Sequence, residues 1–411
     1  MSQPLSFPKE KINVLLLEGI HKSALEHFQN SGYTSTTLLD RAMDEDELIE
    51  ALKKTHFLGI RSRTQLTAKV LEKAEKLMAV GCFCIGTNQV DIDKARTLGI
   101  PVFNAPHSNT RSVAELVLSE MIFLKRGLVS KNAGCHKGDW IKSASGSYEI
   151  RGKKLGIIGY GHIGSQLSIL AEALGMQVIY YDLEPKLPMG NAKQLPTLKE
   201  VMSESDVISL HVPASADTVN LIEATNLSYM KEHAILINAS RGNVVDIDAL
   251  ADALKSKKIA GAAIDVFPKE PASKTEKFES PLQGIENVIL TPHIGGSTTE
   301  AQVNIGKEVS FKLVQYCDEG STQGSVNFPA LTLPRQGSDR HRLLHIHENI
   351  PGILGSINKI LADSQTNILG QYLQTLPDVG YVVIEVDGED SSSLAQKLNN
   401  IEGTISCRTL F

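Results

Sequence analysis

The sequence predicts an α/β protein built from two doubly wound parallel-sheet domains and a smaller C-terminal βαββαβ, or ferredoxin-like, domain. Three observations lead there. Short apolar runs alternate with amphipathic stretches over the first hundred residues. A second series of six such runs surrounds a glycine-rich turn, and past Asp339 the rhythm becomes strand, helix, strand, strand, helix, strand.

In chain order, Val14–Leu17 reads as a strand, Lys22–Gln29 as a helix ending near Gly32, Glu45–Lys54 as a helix and Phe57–Ile60 as a strand. Ala68–Lys76 follows as a helix with Thr67 placed to cap it, and Leu77–Gly81 and Val102–Phe103 complete the alternation of a parallel sheet. Ser112–Lys125 is apolar almost all round, the pattern of a helix buried between two bodies of protein. The loop from Gly134 to Arg151 is rich in Gly, Ser and Lys and carries the single tryptophan, Trp140. Leu155–Ile158, Val178–Tyr181, Val207–Leu210, Ile235–Asn238, Ala262–Ile264 and Val288–Leu290 are the six later strands. The long helix Ala301–Tyr316 lies beyond them, so the chain is expected to return to the first domain. Asn327 to Asp339 has two prolines and no period and reads as a linker. The last series is Leu343–His347, Ile353–Ala362, Ile368–Gln374, Tyr381–Val386, Leu394–Asn399 and Thr404–Leu410. The expected domains are therefore 1–108 with 298–337, then 109–297 inserted between them, then 338–411.

Composition narrows the function. The 411 residues are 42% hydrophobic and 21% charged with a net charge of −6, an ordinary globular balance with no positive field for nucleic acid. No apolar run approaches the roughly 18 residues that cross a bilayer. Val14–Leu17, interrupted by Glu18, is too short for a signal peptide. The five cysteines form no CxxC pair and are odd in number, which speaks against a disulfide framework or a zinc site and for a reducing cytoplasm.

The sharpest motif is Gly159-Tyr160-Gly161-His162-Ile163-Gly164, between the strand ending at Ile158 and a helix expected over Ile163–Leu174. Alone, such a hexad is also found as a ligand-free tight turn. Here the next strand ends in Asp182, eighteen positions on, which completes a Rossmann-like dinucleotide fingerprint. Gly159 permits the turn, Gly161 lets backbone N–H groups approach a pyrophosphate, and Gly164 lets helix and strand pack closely. Asp182 suits the ribose hydroxyls of NAD and repels the 2′-phosphate of NADP; Leu183, Glu184 and Pro185 after it offer no arginine. The expected cofactor is NAD, and no metal is expected.

Three further segments end predicted strands: Ala239-Ser240-Arg241-Gly242, then Asp265 with Glu270 five residues on, then Thr291-Pro292-His293-Ile294-Gly295-Gly296. Arginine, glutamate and histidine at strand ends are what oxidation of a 2-hydroxy acid needs: a fork for the carboxylate, a base for the hydroxyl proton, and a carboxylate to orient the base. Singly, His293 also reads as a structural histidine and Glu270 as a solvated charge.

Taken together, Gly159–Gly164 with Asp182, Asn238 to Gly242, Asp265 to Pro271 and Thr291 to Gly296 resemble the D-isomer-specific 2-hydroxyacid dehydrogenases, and the resemblance runs through residues 10–330. It implies Arg241, Glu270 and His293 as the catalytic trio. It also implies an NAD site lined by His162, Ile163, Asp182, Ala239, Ser240, Arg241, Asp265 and His293 to Gly296. Within the family the chain looks like the shorter bacterial kind with a C-terminal ACT domain. That implies NAD-dependent oxidation of 3-phospho-D-glycerate to 3-phosphohydroxypyruvate, the first step of L-serine biosynthesis, with L-serine as feedback effector and a homotetramer as the assembly.

Arg61-Ser62-Arg63 follows the strand Phe57–Ile60, and residues two apart in an extended chain point to one side, so both guanidiniums are placed to close on a phosphate. A solvated basic turn is the other reading of the residues; the resemblance favours the phosphate. By resemblance Asn109 lies near the substrate carboxylate and Trp140 packs into a neighbouring subunit. His345 to Gly352 resembles the ligand loop of ACT domains, with Asn349 and Asn367 holding the effector beside His347, although two histidines at that spacing also allow a metal. The linker departs from the family's usual glycine pair in having one glycine, Gly337, and Arg335, Arg340, His341 and Arg342 form a basic cluster around it. Two other functions stay open: reduction of another small 2-oxo acid such as 2-oxoglutarate, and an NAD-sensing binding protein on the same fold.

Overall fold

Apolar, β-branched triplets and quartets punctuated by capped helices form parallel strands, and the computed structural model contains two such sheets. It describes residues 8–271, 276–334, 340–387 and 391–410. These divide into two compact units, one drawn from 8–108 and 302–410, the other from 109–301.

The first unit contains β1 (Val14–Leu16), β2 (Thr36–Leu38), β3 (Phe57–Ile60), β4 (Ala79–Cys82) and β5 (Val102–Asn104), all parallel in the order β2-β1-β3-β4-β5. Helices begin where side chains satisfy their first N–H groups: Asp44 accepts from Glu47 N–H and Thr67 from Val70 N–H. β2 and the short helix Ile92–Thr97 were not expected. β2 is a half-exposed edge strand with two threonines in three residues, and the helix is mostly polar. From the long helix Thr299–Glu319, Ile305, Val309 and Leu313 pack into the core of this sheet with Leu16, Phe57 and Phe103.

The second unit holds β6 (Lys154–Ile158), β7 (Gln177–Tyr181), β8 (Lys193–Gln194), β9 (Val207–Leu210), β10 (Ile235–Asn238), β11 (Gly261–Ile264) and β12 (Val288–Leu290). They are parallel in the order β12-β11-β10-β9-β6-β7-β8, so the winding reverses between β6 and β9. Open α/β sheets bind ligands at that crevice. β8, two exposed polar residues, carries no sequence signal. The helix Thr110–Arg126 corrects an expectation. It buries one face (Val113, Val117, Met121, Leu124) and leaves Phe123 exposed, so it is amphipathic rather than apolar all round. The expected loop from Gly134 also starts later, because the helix Leu128–Lys137 runs through it to Gly138.

Within the first unit lies a third, antiparallel sheet: β13 (His341–Glu348), β14 (Ile368–Thr375), β15 (Val379–Val386) and β16 (Thr404–Leu410), in the order β14-β15-β13-β16. Helices Ile353–Asp363 and Ser391–Asn399 complete the βαββαβ order. Leu343, Ile357, Leu361, Ile384 and Leu398 form the core on the helical face. The other face is covered by Phe328, Leu331 and Leu333, which pack on Leu344, Ile346 and Tyr381. The start of the expected linker is therefore core, because those three apolar residues have a sheet face to bury. Arg342 belongs to this core too, not to a solvated basic cluster. It is buried, pairs with buried Glu385 (3.0 Å) and donates to the carbonyls of Glu319 and Leu333. Arg335 and Gly337 lie outside the described residues. Among the described residues no helix is long and apolar enough to cross a membrane.

Candidate active site

The glycine turn follows β6. Gly159 is left-handed (φ +92°), and a Cβ there would lie 2.8 Å from the backbone of His211 at the end of β9, so glycine alone passes. The helix His162–Ala173 starts one residue earlier than expected, no side chain caps its first turn, and the space in front of Gly161 is open. Uncapped N–H groups at a helix start, with room for an anion against the backbone, fit the pyrophosphate of a dinucleotide. Asp182 leaves β7 with Oδ2 accepting from Tyr160 N–H (2.8 Å) and Oδ1 from Glu184 N–H (3.1 Å). Each oxygen keeps a lone pair, so the carboxylate ties the turn and can still accept ribose hydroxyls.

Three strand ends bring the reactive side chains. After β10, buried Asn238 accepts from Ser240 through Oδ1 (3.0 Å from N–H, 2.8 Å from the hydroxyl) and donates through Nδ2 to the Arg241 carbonyl (3.0 Å). This closes the bend over Ala239–Arg241. The adjoining Gly242 lies so close to the chain after β11 that a Cβ would fall 2.0 Å from the Phe267 carbonyl carbon. Asp265, 1% exposed, accepts from the Thr291 hydroxyl (2.6 Å) and from the N–H groups of Ile294 and Gly295 (2.8 Å each), while its carbonyl takes His293 N–H (2.8 Å). His293 itself is left-handed, φ +53°, a conformation an L side chain adopts only where its surroundings impose it.

That constraint aims the imidazole. His293 Nδ1 sits 2.9 and 3.0 Å from the Glu270 carboxylate oxygens, and Glu270 also accepts from Phe267 N–H (3.2 Å). The hydrogen bond to Glu270 raises the His293 pKa above its ordinary value against the effect of burial; the Glu270 and Asp265 charges add and Arg241 opposes. For Glu270, burial works against the charge, but His293, the Phe267 N–H and Arg241 outweigh it and hold the carboxyl below its usual value. With Nδ1 engaged, Nε2 is the nitrogen that can exchange a proton with a ligand. Nearby, burial and the Asp265 charge push Glu120 up to about 8.

Asn109 precedes the helix Thr110–Arg126 without capping it. A Cβ at Gly296 would lie 2.7 Å from Asn109 Nδ2, and Asn109 Oδ1 is buried with no hydrogen-bond partner among the described residues. In the other unit, Ser62 and Arg63 are exposed and Arg61 is half-buried in the turn after β3. Two supports of that turn were missed by sequence reasoning. Buried Glu18 accepts from Arg61, Arg63 and Thr64 N–H (3.2, 3.0 and 2.9 Å), and Gln89 Nε2 donates to the Arg61 carbonyl (2.5 Å). An acid directly after an apolar strand was the available signal for Glu18, as it was for Asp182.

His347, Asn349 and Asn367 are not brought together in one chain. His347 is buried, its Nδ1 3.3 Å from His345 Nδ1, and burial lowers both pKa values, His345 to about 4. Asn349 donates to the Leu376 carbonyl (2.9 Å), beside Glu348, which pairs with Val379. Asn367 donates to Asp387 and adjoins Ile368, which pairs with Val386. The two asparagines thus stand at opposite ends of β15, roughly 23 Å apart at ~3.3 Å per residue. The antiparallel register separates residues expected to face each other.

Comparison with known proteins agrees with this geometry. Residues 118–295 match the model of the D-isomer specific 2-hydroxyacid dehydrogenase NAD binding domain. The D-3-phosphoglycerate dehydrogenase of Haemophilus influenzae is 59% identical over 411 residues, covering 100% of both chains. The chain belongs to the D-isomer-specific 2-hydroxyacid dehydrogenases. The Escherichia coli K12 protein of the same name as the Haemophilus one is 56% identical, with 99% of each chain covered. Among solved structures, D-2-hydroxyisocaproate dehydrogenase superposes with a TM-score of 0.68 at 28% identity, over 77% of this chain and 100% of its own. D-lactate dehydrogenase from Aquifex aeolicus, complexed with NAD and lactic acid, gives 0.66 at 27%, with the same coverage. Residues 343–406 match an ACT domain of the acetohydroxyacid synthase small-subunit type. The chain is an NAD-dependent oxidoreductase of this family, with an ACT-like domain at its C-terminal end.

Proposed function

We propose that the protein oxidises 3-phospho-D-glycerate to 3-phosphohydroxypyruvate, the first step of L-serine biosynthesis, and that L-serine inhibits it through the ACT domain. The observation that carries the reading is full-length identity of 56–59% to relatives named D-3-phosphoglycerate dehydrogenase. The paired arginines of Arg61-Ser62-Arg63 support it, because a small unphosphorylated acid such as glycerate or glyoxylate carries no second anionic group for them to bind. Residues 1–108 with 298–337 serve the substrate, 109–297 the cofactor and 338–411 regulation.

Arg241 forks onto the substrate carboxylate, with Asn109 beside it, and fixes which face of C2 is presented. His293 Nε2 takes the hydroxyl proton. Glu270, hydrogen-bonded at Nδ1, holds the ring and stabilises its charged form. Bound NAD supplies the hydride acceptor. Gly159 to Gly164 hold its pyrophosphate, Asp182 its ribose, and Ala239, Ser240, Asp265 and Ile294 to Gly296 line the rest. In the reverse direction protonated His293 returns the proton to the carbonyl oxygen.

Regulation needs a second copy, since Asn349 and Asn367 of one chain are too far apart to share one amino acid. Two ACT domains side by side bring the loop of one to the Asn367 end of the other. Trp140, 84% exposed, with exposed Ile141, Leu128 and Val129, supports a second interface between dinucleotide domains and hence a homotetramer; the cysteine pattern supports a cytoplasmic one. NADH absorbance with 3-phosphoglycerate and NAD, repeated across a serine titration, tests all of this. Turnover that falls as serine rises is expected. Activity confined to 2-oxoglutarate, or NAD binding without turnover, would replace the substrate or the enzyme reading.

A further inference from the structure

We propose that Glu18 is a positioning residue for anion recognition: its buried carboxylate, clamping the backbone of Arg61 to Thr64 from below, sets the turn that presents the Arg61 and Arg63 guanidiniums. The inference rests on reading those arginines as phosphate ligands.

Four observations carry it. Glu18 Oε1 takes the N–H groups of Arg61 and Thr64 and Oε2 that of Arg63, so one carboxylate gathers three amides of a four-residue turn. Burial opposes its charge, yet the N–H donors of Thr64, Arg63 and Arg61 prevail and hold the carboxyl below its usual value. Arg63 Nε lies 3.5 Å from Glu18 Oε2 while half of that side chain is exposed, a guanidinium anchored at its inner nitrogen with its terminal pair left for a ligand. Glu18 is also left-handed, φ +65°, in the turn with Gly19 just past β1, a conformation uncommon for a residue with a side chain. From the other side Gln89 holds the Arg61 carbonyl. The amides of Arg61, Arg63 and Thr64 are therefore committed inward, and an incoming phosphate meets the two guanidiniums and Ser62. Glutamate is needed in this place. Aspartate is one carbon short, and glutamine turns an NH2 toward amides that themselves donate.

The test is steady-state kinetics of Glu18→Gln and Glu18→Asp, with competitive inhibition by inorganic phosphate and NAD affinity measured alongside. Both variants are expected to raise the KM for 3-phosphoglycerate and the inhibition constant for phosphate about tenfold, with kcat at saturation and NAD affinity kept. Lowered thermal stability with an unchanged KM would make Glu18 a fold residue and overturn the proposal. A lower KM in Glu18→Gln would overturn it as well, since the carboxylate would then act as a charge opposing the arginines. If neither variant folds, Gln89→Met, which removes the donor to the Arg61 carbonyl together with its bonds to Gly86 and Cys84, takes their place: a raised KM supports the clamp, and an unchanged one rejects it. Arg63→Ala separates this from the underlying reading. If phosphate affinity survives Arg63→Ala, the phosphate assignment fails. If it falls there but not in the Glu18 variants, only the positioning role fails.

Discussion

The turn after β3 and the loop after β12, one in each parallel sheet, are held by the same device but strained at different residues. Buried Glu18 gathers the N–H groups of Arg61, Arg63 and Thr64; buried Asp265 gathers those of Ile294 and Gly295 and the Thr291 hydroxyl. In the first the left-handed residue is the acid; in the second it is His293, the proposed base. Such a backbone costs about 1–3 kcal/mol, so where it falls is informative. An imidazole has one useful outward nitrogen and must be aimed, so the bend lies directly beneath it. Guanidiniums on long stems need less aiming, which fits the proposed role of Arg61 and Arg63 in binding an anion: there the support is bent and the arginines keep their freedom.

The comparison breaks most visibly at His293. His293→Ala is expected to lower kcat by roughly 10²–10⁴-fold while NAD affinity, followed by calorimetry, stays close to that of the parent. A surviving kcat would leave the left-handed backbone there without a purpose. Next comes its support. Asp265→Asn puts an NH2 against amides that also donate, and a loss in kcat on the order of 100-fold, with weaker NAD binding, is expected. Arg63→Ala acts on the other turn, where a change of about tenfold should appear in the KM for 3-phosphoglycerate and hardly at all for an unphosphorylated 2-hydroxy acid.

The electrostatic half of the comparison is read from pH. With His293 as the proposed base, oxidation needs it neutral; Glu270 raises its pKa, so the rate should climb with pH through that raised value, and reduction should fall over the same range. Glu270→Gln removes the raising partner and should move the acid limb of the oxidation profile to lower pH; an unmoved limb would assign the titration to another group. The smallest effect belongs to Asp182, a third acid holding a neighbouring turn by an N–H. Asp182→Ser should narrow the preference for NAD over NADP severalfold, seen in the ratio of kcat/KM values. An unchanged ratio would leave Asp182 as a turn support alone.

Much of this was legible in the sequence, and what was missed has physical causes. Strands such as Phe57–Ile60 and Ile235–Asn238 are dense apolar runs, and residues with chemistry stand directly after them, so Arg241, Asp265 and His293 could be read in order. β2 and β8 escaped because edge strands with polar side chains lack that density. Phe328, Leu331 and Leu333 were read as linker because an irregular segment buries apolar residues without a period. Glu18 and Gln89 hold backbone rather than ligand, and the groups they hold lie elsewhere in the chain, so Gln89 has no local signal and Glu18 only its place directly after an apolar strand. The separation of Asn349 from Asn367 is a matter of strand register, which alternation alone does not set.

Gly242 shows what that arrangement means for motion. With the Phe267 carbonyl carbon only 2.0 Å from where a side chain would begin, the two strand ends that carry Arg241 and Glu270 form a bearing with no clearance. Thermal fluctuation moves them as one part, so the spacing between the carboxylate fork and the partner of the base acts as a gauge length that substrate binding does not have to set. Whatever flexibility turnover demands is displaced to other joints of the chain.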